Sequence, residues 1–165
     1  PRIFNECAQN GETMAFKRWL YRGGHPNLLA KILNSGWAFL HSLGIAPNYM
    51  VTLDVVGRQS GRLISFPLAM AIVNGERYLV SMLGEDANWV RNAHAAGGRA
   101  QLRHGRTEQV ILREVEVSQR APILKEYLRR APGARPHIPI ALDAPLSEYE
   151  KIAAQYPVFR LEKDG

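Results

Sequence analysis

The chain has one cysteine, Cys7, so no internal disulfide can close and stability must come from a packed core. That usage fits a reducing compartment, and a cytoplasmic location is expected. No apolar run reaches transmembrane length, and no signal-peptide pattern is present. His25, His41, His94, His104 and His137 have neither the i, i+4 pairing nor the cysteine partners of a zinc site, so no metal is expected. A G-x-S-x-G nucleophile elbow, a P-loop and a G-x-G-x-x-G turn are all missing. Cys7 lies in an N-terminal segment ill suited to building a nucleophile site. There are no internal repeats and no low-complexity tract. With so little acid–base or metal apparatus, a reaction here has to be carried by a cofactor.

What is present is ordinary in bulk and basic in balance. The 165 residues suit one domain, with 46% hydrophobic and 22% charged residues. A net charge of +6 favours an acidic partner: a phosphorylated cofactor, nucleic acid or an anionic membrane surface. Nucleic acid is set aside, because the arginines are scattered and no RNP, KH or helix-turn-helix pattern emerges.

In chain order, residues 13–24 and 26–44 read as two helices, forming an N-terminal helical extension over 1–45. Lys17, Arg18, Arg22 and Lys31 beside Trp19 and Trp37 give this extension a face that could touch a membrane surface. Packing on the core or on another subunit accounts for the same pattern. From 46 to 165 a barrel with helices is expected. Tyr49, Val51, Leu53 and Val55 alternate with Met50, Thr52, Asp54 and Val56, as in a half-buried strand. Ile64, Phe66, Leu68, Met70 and Ile72 share a face of a second strand, and Asn74-Gly75 marks a hairpin into Arg77–Val80. Asp86 or Asn88 is positioned to cap a short helix that Gly97-Gly98 stops. A hairpin around His104-Gly105-Arg106 follows, with Glu114 and Glu116 as solvated edge residues. Ser118 then caps a helix with Ile123, Leu124, Tyr127 and Leu128 inward. A last helix near 146–155 and a strand at 157–162 end the chain. The predicted class is α+β, mainly β: about six mostly antiparallel strands curled into a small barrel.

Between the first two strands stands Gly57-Arg58-Gln59-Ser60-Gly61-Arg62. Its glycines allow close backbone approach and positive φ, Ser60 adds a hydroxyl, and the two arginines supply forks that match phosphate. By itself the hexapeptide reads more readily as an ordinary solvated turn than as an anion cradle, and it is the rest of the chain that favours the cradle.

The ordered set of pieces is more specific. Leu53–Arg62, Phe66-Pro67-Leu68, Asn74–Ser81, Asn88-Trp89-Val90-Arg91-Asn92 and Arg99–Gly105, over roughly residues 45–120, resemble the deazaflavin-dependent nitroreductase family. Tyr156–Leu161 also fits. The resemblance implies a split β-barrel, coenzyme F-420 as cofactor, and hydride transfer to a hydrophobic acceptor such as a quinone or nitroaromatic. It implies that Arg58 and Arg62 clamp the coenzyme's phosphate with Ser60 and Gly61 assisting. Gln59 stands where family members commonly have lysine. Ser81, Met82, Leu83 and Gly84 match the loop beside the deazaflavin ring, with Ser81 a candidate to hydrogen-bond the acceptor. Lysine and glycine are frequent in the family where Met82 and Leu83 stand. Pro67, Trp89 and Asn92 match positions near the coenzyme. The tyrosine cluster of the nitroreductase members has no counterpart around Arg130–Pro139. A split barrel that holds flavin mononucleotide (FMN) or lipid without turnover is the alternative, and a homodimer is expected by analogy.

Overall fold

The computed structural model describes residues 49–164. The two N-terminal helices, Cys7 and the membrane-facing reading of 1–45 lie outside the described residues. Among these are six strands: β1 Met50–Val56, β2 Leu63–Val73, β3 Glu76–Val80, β4 Arg99–His104, β5 Arg106–Glu114 and β6 Val158–Lys163. Three α-helices accompany them: α1 Asn88–Ala95, α2 Arg120–Arg130 and α3 Leu146–Ile152. The strands close into a barrel in the order β1-β2-β3-β6-β5-β4, and every pair is antiparallel. This is the six-stranded antiparallel barrel that the strand pattern predicts, and it has the split-barrel α+β architecture that the resemblance implies. No helix among the described residues is long and apolar enough to cross a membrane.

Local chemistry explains the hairpins. Asn74 and Gly75 both adopt positive φ, 51° and 81°, as a two-residue turn that matches strand twist requires. The alternation of β1 sends Val51, Leu53 and Val55 into the barrel, opposite Leu68, Phe66 and Ile64 of β2. Leu79, Leu102, Val110, Leu112, Phe159 and Leu161 complete that interior from the other strands.

Helix α1 closes one end: Trp89, Val90 and Ala93 join the barrel core, and the Trp89 ring meets Phe159 edge-on at 5.3 Å. At the other end, Arg77 shares the inward face of Leu79 and pairs through two donors with Glu108, which shares the face of Val110. A second apolar layer lies outside the sheet. There Ile123, Leu124, Tyr127 and Leu128 of α2 cover Ala71, Val80 and Val158, with Tyr149 and Ile138 buried beside them.

Several expected details differ. The cap of α1 is Ala87, with no side-chain bond, while Asp86 pairs with Arg91 at 3.2 Å. Ser118 falls within a 3₁₀ turn, Val117–Gln119, and α2 starts only after it. The last helix stops at Ile152 and tightens into a 3₁₀ turn, Ala153–Gln155. Glu114 ends β5 and is ion-paired to a buried arginine rather than simply solvated, whereas Glu116 lies beyond the strand.

Strand β2 is long and divided. Leu63–Ala69 pairs with β1, whereas Met70–Val73 pairs with β3. Pro67 sits in the first half, opposite Thr52, where β1 is its only strand neighbour among the described residues. A residue without an N–H is accommodated on such an edge.

Candidate functional site

The β1–β2 connection is a closed loop. The Gly57 amide donates to the Arg62 carbonyl at 2.8 Å, and the Gly61 amide donates to the Gly57 carbonyl at 2.8 Å. Gly61 has φ 65°. A Cβ on Gly57 would lie 2.7 Å from Ile64 Cδ1 and Ser60 Oγ, the movable ends of two side chains, and 3.3 Å from the Arg62 carbonyl oxygen, so the loop is tightly packed there. Ser60 Oγ accepts the Arg62 amide at 3.3 Å.

Arg58 is fastened from across the fold. Asn92, on α1 and 1% exposed, accepts with Oδ1 from Arg58 Nη1 at 2.8 Å and from the Arg58 backbone amide at 3.2 Å. The sequence placed Asn92 near a coenzyme; the structure uses it to hold the loop's first arginine. Gln59, Ser60 and Arg62 are exposed, and the Arg62 guanidinium has no partner among the described residues.

Below the loop, buried Asp54 accepts from Ser65 Oγ at 2.5 Å, from Arg103 Nε at 2.5 Å and from Arg103 Nη2 at 2.9 Å. Asp54 thereby neutralises Arg103, and the loop's uncompensated charge rests on Arg58 and Arg62.

The Ser81–Gly84 turn is built inward. Its backbone is tied by the Ser81 amide to the Pro157 carbonyl at 2.9 Å. The buried Ser81 hydroxyl donates to the Gly84 carbonyl at 2.6 Å, so its proton is already committed. Gly84 adopts φ 77° to permit this closure. Met82 packs against the α2 layer, and Leu83 is exposed. Trp89 belongs to the barrel core. No hydrogen bond joins this turn to the Gly57–Arg62 loop among the described residues.

Neither of two cavities adjoins the basic loop. One, about 230 Å³, lies beside the end of α1 between His94, Gly98, Leu112, Glu114 and Phe159. There His94 Nε2 stands 3.6 Å from Glu114 Oε2, and its ring meets Phe159 edge-on at 5.6 Å. The other, about 410 Å³, lies between β2, α2 and the start of α3.

Glu114 is anchored by Arg120 Nη2 at 2.8 Å. Arg120 is buried and also donates to the carbonyls of Val115 at 2.8 Å and of Ala153 and Tyr156 at 3.4 Å. Nothing in the local sequence marked that arginine, since two of the three carbonyls it satisfies, those of Ala153 and Tyr156, arrive from a distant part of the chain.

No protein-family model and no curated protein matches the sequence. Solved structures do resemble the fold. A conserved hypothetical protein from Mycobacterium tuberculosis aligns at 12% identity and TM-score 0.53, over 75% of this chain and 78% of that one. A protein described as a domain-swapped dimer aligns at 22% identity and TM-score 0.50, over 80% of this chain and 92% of that one. An F-420-H2-dependent reductase aligns at 23% identity over 70% of this chain and 95% of that one, with a TM-score of 0.45, too loose to carry an argument. At these identities the likeness establishes a shared fold.

Proposed function

We propose that the chain is an F-420-dependent reductase that binds the coenzyme's phosphate in the Gly57–Arg62 loop and passes hydride to a hydrophobic acceptor such as a quinone or nitroaromatic. The observation that carries this reading is the fastening of Arg58 by Asn92 beside an Arg62 guanidinium that has no partner among the described residues, in a loop tightly packed at Gly57. Two cations held on a glycine-bracketed turn fit a phosphate monoanion or dianion. Arg58 and Arg62 would hold that group, with the Ser60 hydroxyl and the Gln59 amide as further donors.

When bound, the reduced deazaflavin supplies a hydride, and the protein supplies orientation and a water-poor surface. The Ser81–Gly84 turn, with Pro67, Met82 and Leu83, would border the ring, as the family resemblance implies. Ser81, its proton given to Gly84, would fix the shape of that turn and keep an oxygen lone pair as an acceptor. Trp89 would support the site from the barrel core.

Two cavities among the described residues lie away from the loop, while Leu63 and Ile64 beside it are 55% and 37% exposed. We therefore also propose that a second copy covers this half of β2 and completes the ring site.

Titrating the protein with oxidised F-420, followed by fluorescence, tests the reading directly. Replacing both Arg58 and Arg62 with alanine should weaken binding about 100-fold, since two exposed charge-assisted contacts at about 1.5 kcal/mol each amount to about 3 kcal/mol. Oxidation of the reduced coenzyme by menadione should accompany binding. Tighter binding of FMN than of F-420 would transfer the site to the flavin reading. Unchanged titration in the double variant would put the phosphate elsewhere.

A further inference from the structure

The cavity of about 410 Å³ lies at the opposite end of β2 from the basic loop, ten residues or about 30 Å along the strand. Its size falls within the range of small-ligand pockets, about 300–1,000 Å³, whereas the cleft at His94 falls below that range.

Ile72 and Val73 of β2, Pro122 of α2 and Leu146 of α3 give it an apolar lining, and Lys125, Glu126 and Arg129 edge it. Ile72 and Leu146 remain 37% and 45% exposed, leaving apolar surface uncovered around the groove.

The charges along the edge are not balanced. Glu126 takes its close partner from outside the groove, accepting from Arg130 Nε at 2.6 Å, and meets Arg129 only at 3.5 Å. The Arg129 side chain is largely exposed. Lys125 Nζ gives one N–H to the Ala144 carbonyl at 2.7 Å and keeps two. Two cations with unspent donors thus flank an apolar trough, and the neighbouring Glu126 carboxylate is already paired with Arg130.

We propose that this groove binds a small amphiphile with a hydrocarbon body and a single carboxylate. The body lies along Ile72, Val73 and Leu146, and the carboxylate is held by Arg129 and Lys125. The site is independent of the basic loop.

The test uses the full chain with dodecanoate as probe, read by displacement of anilinonaphthalene sulfonate. Dodecanoate should displace the dye more effectively than dodecanol, and added salt should narrow that difference. Lys125→Gln with Arg129→Gln should weaken dodecanoate at least about tenfold and leave dodecanol unchanged. Arg129 is exposed, whereas Lys125 is half-buried and also holds the Ala144 carbonyl, so an unaltered urea midpoint is required to verify the fold. Ile72→Asp should weaken both probes. The Arg58→Ala, Arg62→Ala variant should bind dodecanoate like the parent, which separates this site from the coenzyme loop.

Equal affinity for acid and alcohol, or full dodecanoate affinity in the doubly substituted chain, would overturn the proposal. So would a loss of dimer on Leu146→Ser, which would make a second copy the occupant.

Discussion

Cutting the tie between Asn92 and Arg58 tests whether the basic loop is held ready from α1. Asn92 Oδ1 serves two donors of one residue, the Arg58 guanidinium at 2.8 Å and its amide at 3.2 Å. Asn92→Ala removes both bonds from a site that is 1% exposed, so the cost combines a lost backbone bond, a lost side-chain bond and a small void. A neutral bond contributes about 1 kcal/mol and a charged one about 1.5–3. Arg58 is exposed and its guanidinium can rehydrate, which brings the charged contribution down to about 1 kcal/mol. The total for Asn92→Ala is then about 2–3 kcal/mol. Arg58→Ala leaves the amide bond in place and should cost about 1 kcal/mol.

In a double-mutant cycle by urea unfolding at constant m, the two substitutions should couple by about 1 kcal/mol. Asn92→Asp, which keeps the acceptor, should stay closer to the parent at neutral pH. A coupling within about 0.5 kcal/mol of zero would refute the fastening itself. Destabilisation without any loss of F-420 affinity would refute its role in preparing the loop for an anion.

Three further outcomes follow from particular contacts. Gly97 and Gly98 both have positive φ, but a Cβ on Gly97 meets open space while one on Gly98 would lie 2.6 Å from the Leu112 carbonyl oxygen. Thermal unfolding should therefore show Gly97→Ala costing about 1–2 kcal/mol and Gly98→Ala clearly more. Arg120→Lys should destabilise by about 3 kcal/mol, because an ammonium cannot serve Glu114 and three separate carbonyls; a midpoint equal to the parent's would contradict this. Burial pushes the Tyr127 phenol up to about 12. The folded state then holds its proton where the unfolded chain, near 10, has lost it, so stability is intact below pH 10 and falls between 10 and 12 by up to about 1.4 kcal/mol per unit. Tyr127→Phe should flatten that alkaline limb, and an unchanged pH profile would count against the assignment.

How far the chain could be read depends on the range of the forces involved. Val51, Leu53 and Val55 announce an inward face because strand alternation is local, and Asn74-Gly75 announces its hairpin because only two residues have to adopt positive φ. The β1–β4 and β3–β6 pairings join strands far apart in sequence, and no two-residue period specifies which strangers meet. The same limit hid Arg120, whose carbonyl partners at Ala153 and Tyr156 lie more than thirty residues downstream. Helix caps are hard to read for another reason: Asp86, Asn88 and Ser118 have side chains suited to a helix end, but neither α1 nor α2 has a side-chain cap bond. Asp86 instead pairs with Arg91, and Ser118 lies in a turn that ends before α2 begins. At the candidate site, local chemistry was enough to find the loop, since Gly57, Arg58 and Arg62 act within six residues. It was not enough to assign Asn92 between touching a ligand and holding an arginine, because both tasks call for a buried amide on the same turn of α1. The structure shows the holding contact with Arg58, and on the proposed reading the loop's readiness for an anion then depends on the barrel's helical plug as much as on the loop itself.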